Sequence, residues 1–139
     1  MINKSFDQIQ VLLLEGISLF NTGKFFDAHE TLETAWHMEK SPIRTLYKGL
    51  IQLSVACFHA ERKNWVGADR VLQRARGNLV PFINTDSRID VADVILQIDF
   101  LDKRIERILN SKVNDPEIVV FPHLGLKNGT GQEFIPGSG

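Results

Sequence analysis

The sequence predicts an all-α fold: a compact bundle of about five helices, built from two αα-hairpins plus a fifth helix, with an extended C-terminal tail. Three observations support this prediction. Apolar residues recur every three or four positions through most of the chain up to residue 111, which is the spacing of one helix face. Residues that end or cap helices separate these segments. A pattern of apolar and small residues in the second segment is repeated 40 residues later, as expected for two successive hairpins.

The apolar spacing and the helix-breaking residues together predict where each helix lies. The predicted helices cover residues 5–21, 24–39, 43–63 and 65–79, and a fifth, capped by Asp86 or Ser87, includes residues 89–108. Gly23 suits the end of the first helix because glycine readily adopts the left-handed conformation found there. Asn64 is a typical N-cap for the fourth helix, and Pro81 is expected to end it.

The composition changes after residue 111. The run 118–121 is β-type, and residues 125–139 contain five of the ten glycines. We therefore predict a helical bundle domain over residues 1–111 and a C-terminal tail over residues 112–139. The tail is expected to be partly extended or disordered and to lie over the bundle.

The overall composition favours a globular domain and argues against several classes of protein. The chain has 139 residues, enough to bury a core without metals or disulfides. Its 16 basic and 17 acidic residues give a net charge of −1, so no basic excess favours nucleic acid. The apolar stretches are too short to span a bilayer, and no signal peptide is evident. We expect a cytoplasmic protein that binds neither nucleic acid nor membrane, with Cys57 buried and unreactive.

The candidate site is a cluster of polar residues on the second helix. His29, Glu30 and Glu33 are the candidate catalytic residues, because a histidine beside carboxylates can serve as an acid, a base or a metal ligand. On a helical wheel Glu33 lies about 40° from His29, whereas Glu30 lies about 100° from it. We therefore expect His29 and Glu33 to act together, beside Trp36 on the same margin of the apolar face.

The third helix is expected to lie at the centre of the bundle and to face this cluster. It is apolar or small nearly all round between residues 49 and 58, which is typical of a helix covered on both sides. Gln52 and His59 would then be half-buried polar groups that need partners. We therefore include Trp36, Gln52 and His59 as candidate binding residues.

The internal repeat separates scaffold from site. Four positions of the second helix match four positions of the fourth helix: Phe25, Ala28, Leu32 and Ala35 correspond to Trp65, Ala68, Leu72 and Ala75. Three neighbouring positions differ: His29, Glu33 and Trp36 correspond to Asp69, Gln73 and Arg76. Hairpin packing alone therefore does not require the histidine and glutamate.

Three sequence motifs carry a resemblance to a known family. They are Phe20-Asn21-x-Gly23-x-Phe25-Phe26-x-Ala28-His29-Glu30-x-Leu32-Glu33-x-x-Trp36, Lys48-Gly49-Leu50-Ile51-Gln52-Leu53-x-x-Ala56 and Asn64-x-x-Gly67-Ala68. In combination they resemble the domain of unknown function 309 family of small bacterial and archaeal proteins. The resemblance implies an all-α bundle and places His29, Glu30, Glu33, Trp36 and Gln52 in the family pattern. It implies no activity, because none is assigned to the family.

The sequence leaves three roles open for the cluster. His29 and Glu33 could hold a divalent metal such as zinc, manganese or iron, with a third ligand from Glu30, His37 or His59. The second histidine of the zincin His-Glu-x-x-His pattern is absent. The second role is acid/base catalysis or small-ligand binding without a metal. For catalysis, no serine or cysteine nucleophile is evident. The third role is a purely structural polar network.

Two functional hypotheses follow from these roles. The first is a small helical binding or interaction module with a polar His-Glu-x-x-Glu site, whose partner is an unknown small ligand or protein. The alternative is a metal-dependent enzyme, a hydrolase, that uses His29 and Glu33. Association into a homo-oligomer is left open by the sequence.

Overall fold

The computed structural model describes residues 4–111 and 119–127 of the protein. In that part of the chain five α-helices follow one another: α1 (Lys4–Asn21), α2 (Phe25–Met38), α3 (Arg44–Glu61), α4 (Trp65–Leu79) and α5 (Val91–Asn110), with a 3₁₀ turn (Val80–Phe82) after α4. Each helix packs mainly against the next one. Two αα-hairpins, α1–α2 and α3–α4, are thus followed by a fifth helix, and the predicted all-α fold class is confirmed.

The second and fourth helices bury corresponding faces, as the internal repeat predicts. In α2 the buried residues are Phe25, Ala28, Leu32 and Ala35, and in α4 they are Ala68, Leu72, Ala75 and Leu79. Helices α3 and α4 approach closely at Gly49 of α3, where an added Cβ would lie 2.7 Å from the Leu79 side chain of α4. Gly23 has a φ of +81° and ends α1, which is the role that the sequence predicts for it.

The predicted caps of α4 and α5 have different outcomes. The Asn64 side chain accepts a hydrogen bond from the backbone N–H of Gly67 at 3.1 Å, so the predicted cap of α4 is confirmed. The prediction that Asp86 or Ser87 caps α5 is wrong. The cap is Asp90, which accepts from the backbone N–H of Asp93 at 3.2 Å. The residue before this cap, Ile89, stays outside the helix because it forms an isolated β-bridge with Leu126.

Residues 119–127, here called the strap, lie against the bundle. The side-chain amide of Asn21 donates to the Leu124 carbonyl at 3.0 Å and accepts from its N–H at 2.8 Å. Gln97 of α5 makes the same kind of paired contact with the backbone of His123. Of the predicted β-type run, residue 118 lies outside the described residues, and residues 119–121 form no strand. The division of the chain into two parts at residue 111 stays a prediction.

Two further properties concern the whole bundle. Across the described residues, no helix combines the length and the apolar character that crossing a membrane requires. Cys57 is fully buried, and this burial raises the pKa of its thiol far above the ordinary range. Because the thiolate is the reactive form, Cys57 is an inert core residue, as its apolar surroundings in the sequence predict.

Candidate binding groove between α2 and α3

The beginning of α2 and the end of α3 lie side by side, because the two helices are joined by a short connection and run in opposite directions. Between them is a partly open groove with a volume of about 220 Å³. The groove is lined by Phe25, Phe26 and His29 from α2 and by Val55, Phe58 and His59 from α3. We call this the α2–α3 groove. Its walls are mainly apolar, with one imidazole from each helix.

Aromatic rings form much of the wall. The Phe26 ring lies 5.6 Å from the Phe58 ring and 5.1 Å from the His29 ring, measured between centroids. Phe26 is 50% exposed although neighbouring Phe25 is buried in the core. Arg62 lies over the Phe58 ring at 5.2 Å and covers one side of it. The groove therefore leaves a large aromatic surface in contact with water, beside a cationic side chain.

His29 is held in one orientation by its own helix. Its Nδ1 lies 2.9 Å from the carbonyl oxygen of Phe26. A carbonyl can only accept a hydrogen bond, so Nδ1 carries the hydrogen and Nε2 of the neutral ring keeps its lone pair. This Nε2 lies 3.6 Å from Oε2 of Glu33. The structure thus brings His29 and Glu33 together as the helical spacing predicts, while Glu30 is exposed on α2.

Glu33 has a second histidine neighbour, His37, on the same helix. Nε2 of His37 lies 3.9 Å from Oε1 of Glu33, one turn further along α2. The Glu33 carboxylate therefore lies between two imidazoles. Each histidine is four positions away from Glu33 along α2. The sequence indicates this spacing, although it predicts His37 only as a candidate third metal ligand.

His59 and Gln52 lie two turns apart on the same side of α3, and each has a polar partner in or next to α4. His59 lines the groove, and its Nδ1 is 3.3 Å from the side-chain nitrogen of Asn64, the residue that also caps α4. Because an amide nitrogen donates, Nδ1 is the acceptor and Nε2 of the neutral ring carries the hydrogen. Gln52 accepts a hydrogen bond from Asn78 of α4 at 2.6 Å. Gln52 is half-buried, as the sequence predicts, and the partner that it needs is on α4.

A metal site would need more ligands than this pair supplies. Within residues 4–111 and 119–127, no group of three or more His, Cys, Asp or Glu side chains is arranged to hold a metal ion. His29 and Glu33 are therefore a pair of candidate ligands, and metal binding by them stays a prediction. The chemistry that the described groove offers directly is apolar contact, with a hydrogen-bond acceptor on His29 and a donor on His59.

Trp36 belongs to a different cluster, two helical turns away from His29. The guanidinium carbon of Arg44 lies 3.7 Å from the Trp36 ring centroid, and the Lys48 ammonium lies 4.8 Å from it. Nε of Arg44 also donates to the Trp36 carbonyl at 2.9 Å. Arg44 and Lys48 are not among the site residues that the sequence predicts. Both residues lie in the first two turns of α3, which runs back along α2. In a hairpin of this kind the start of the second helix lies near the end of the first, and this is the sequence signal that places them near Trp36.

The residues of α4 that correspond to the cluster are joined to α5. Arg76 forms two hydrogen bonds to the Asp99 carboxylate, at 2.7 Å and 3.2 Å, and these lower the pKa of Asp99. Gln73 donates to Asp102 at 2.7 Å. Burial, followed by a hydrogen bond and repulsion from Asp69, raises the pKa of Asp102 to about 6. The side chains of α4 at these positions therefore form hydrogen bonds directly with α5.

The fold and the groove define a small all-α protein with a partly open, mainly apolar site between its second and third helices. Residues 13–71 match the model of the family described as Domain of unknown function (DUF309), which supports the family resemblance stated for the sequence. The matched segment includes both helices that line the groove. No curated protein and no solved structure matches the chain.

Proposed function

We propose that the protein is a binding module and that the α2–α3 groove accepts an apolar group of its ligand, such as an aromatic or branched aliphatic side chain. One observation carries the proposal: the half-exposed Phe26 ring lies beside Phe58 at a cavity of about 220 Å³. A cleft lined by apolar groups with a few oriented polar atoms is typical of ligand sites.

The energetics of the Phe26 ring support the same proposal. A phenylalanine side chain presents roughly 200 Å² of surface, so covering its exposed half would contribute about 2 kcal/mol to binding. His29 and His59 add specificity, because each ring is oriented by a hydrogen bond within the protein. A ligand with one polar atom near its apolar group could accept from one ring or donate to the other.

The test uses a small aromatic probe, N-acetylphenylalanine amide, added to ¹⁵N-labelled protein. We expect saturable chemical-shift changes at Phe26, His29, Val55 and Phe58. Val55→Trp should abolish them, because the larger side chain fills the groove. Val66→Trp is the matched control, since Val66 is 57% exposed on α4 and does not line the groove. Shifts spread over the whole surface, or equal in both variants, would overturn the proposal.

The metal-dependent enzyme remains the alternative hypothesis, and one measurement distinguishes it from the binding module. Untagged protein is incubated with Zn²⁺, Mn²⁺ or Fe²⁺, dialysed and assayed for metal. Because His29 and Glu33 supply two ligands, we expect less than one ion per chain to be retained. Stoichiometric metal that is lost in His29→Ala and in Glu33→Gln, but not in Glu30→Gln, would favour the enzyme.

A further inference from the structure

We propose that Trp36, Arg44 and Lys48 form a second binding site, specific for an oxyanion: the phosphate or carboxylate group of a ligand. These three residues are here called the cation cluster. The cluster lies where α2 ends and α3 begins, at the opposite end of the two helices from the α2–α3 groove. The proposal does not depend on binding in that groove.

Two cations share one aromatic ring in this cluster. Arg44 and Lys48 lie four residues apart on α3, at 3.7 Å and 4.8 Å from the Trp36 ring centroid. Like charges at this helical spacing repel each other. The indole offsets part of the repulsion, because a cation over an aromatic face is attracted by it. The attraction is modest at a surface that water reaches, so the positive charge of the pair is not neutralised.

Among the described residues, neither cation forms an ion pair with a carboxylate, and the nearby Glu39 carboxylate interacts with Tyr47 instead. Within residues 4–111 and 119–127, no Asp or Glu oxygen lies within 4.0 Å of a side-chain nitrogen of Arg44 or Lys48. The first turn of α3 also contains no acidic residue, whereas those of α2 and α5 contain Asp27 and Asp93. The α3 dipole therefore adds to the positive potential of the two side chains instead of opposing it.

The Arg44 guanidinium is positioned to donate to a ligand. Its Nε donates to the Trp36 carbonyl at 2.9 Å, and the side chain is half-buried. The ring contact and this hydrogen bond fix the plane of the group. In the part of the chain that the structure describes, no protein acceptor is within hydrogen-bond distance of the two terminal nitrogens. A fixed guanidinium with unused donors matches the paired oxygens of a phosphate or carboxylate, and Lys48 adds a mobile ammonium.

The two tryptophans allow a direct measurement in the intact protein. Trp65 begins α4 and lies outside the cation cluster, so its indole N–H is an internal control. ¹⁵N-labelled protein is titrated with inorganic phosphate, and separately with acetate, against sodium chloride at equal ionic strength. We expect a saturable shift of the Trp36 indole signal with phosphate and little change at Trp65. Saturation by phosphate alone would identify a phosphate ligand, and saturation by both anions would extend the site to carboxylates.

Variants decide whether the cation cluster is responsible. Lys48→Gln should weaken phosphate binding by about fivefold, since one charged contact contributes about 1 kcal/mol. Arg44→Gln should weaken it at least as much. Arg74→Gln, which removes an exposed cation from α4, should leave it unchanged. If neither anion gives a saturable shift, if chloride gives the same shift, or if Lys48→Gln and Arg74→Gln behave alike, the oxyanion site does not exist.

Discussion

The α2–α3 and α4–α5 interfaces are built on the same scaffold but are joined differently. Leu32 of α2 and Leu72 of α4 are both fully buried at matching positions. Beside Leu72, the ion pair Arg76–Asp99 connects α4 directly to α5. Among the described residues no ion pair joins α2 to α3, and a groove of about 220 Å³ remains between them. With the same packing pattern, the α4–α5 interface is thus joined by an ion pair, whereas the α2–α3 interface is partly open.

This difference indicates which side chains contribute to the fold and which remain available. Asp69, Gln73 and Arg76 have polar contacts with each other or with α5. Among the described residues, Glu33 of α2 contacts only His29 and His37 of its own helix, His29 also lines an accessible groove, and Trp36 contacts two cations that form no ion pair. Polar residues that a scaffold does not require, at a surface that it leaves open, are the residues expected to meet a ligand.

The largest expected effect tests the shared scaffold. Leu32→Ala and Leu72→Ala should each lower the free energy of unfolding by about 3 kcal/mol, because each removes a fully buried side chain and leaves a cavity. Urea denaturation of both variants measures this. A loss several times larger in one variant than in the other would show that the two hairpins are not packed in the same way at these matching positions.

A smaller effect tests the charged contact between α4 and α5. Arg76→Gln should lower stability by about 0.5–1 kcal/mol, since the pair is bidentate but partly exposed. Asp99→Asn should cost a similar amount, and the double variant little more than either. Lys48→Gln is the matched comparison at the α2–α3 interface, where we expect almost no loss. An equal loss there, again by urea denaturation, would contradict the contrast between the interfaces.

The smallest effect concerns pH. The pKa of Asp102 is raised to about 6, because burial and the neighbouring Asp69, Glu106 and Asp99 disfavour its charged form. An unfolded aspartate titrates near pH 4, so between about pH 4 and pH 6 the folded protein binds more protons than the unfolded one. Stability from this group is complete below that range and is lost as pH rises through it. Because the side chain is only partly buried and solvent screens its charge, we expect a loss below about 1 kcal/mol.

Thermal unfolding at a series of pH values measures this dependence. Asp102→Asn should remove the decrease between about pH 4 and pH 6. Asp86→Asn, in the loop before α5, should retain it, since the Asp86 side chain is exposed to solvent. The lowered pKa of Asp99 acts at lower pH and in the opposite direction: its contribution is lost as pH falls. If Asp102→Asn keeps the wild-type profile, the pH dependence has another source.

Sequence reasoning identified the helices because their signals are local. Buried residues at helical spacing, such as Ala28 and Leu32, determine which face of α2 is covered. Asn64 caps α4 by accepting a hydrogen bond from Gly67, three positions further along the chain. The sequence does not determine the start of α5, because Asp86, Ser87 and Asp90 are all good caps by residue type. The choice depends on the pairing of Ile89 with the strap, which is a tertiary contact.

The same limit holds for the candidate site: contacts within one helix are predictable from the sequence, and contacts between helices are not. The proximity of His29 and Glu33 follows from their spacing on one helix. The helical wheel gave the direction of Gln52 around α3 but could not tell whether α2 or α4 lies there, and its partner is on α4. The stacking of Arg44 and Lys48 on Trp36 depends on how α2 and α3 are offset, which one sequence does not determine.

The contact between Asn21 and Leu124 has a consequence for the order of folding. The helices pack against their neighbours in the chain, so those contacts can form rapidly and locally. The strap instead joins residues 103 positions apart, and closing so long a loop gains little until the bundle exists to receive it. We therefore expect the strap to dock last and to be absent from the folding transition state. Weakening its contacts should then accelerate unfolding and leave the folding rate nearly unchanged.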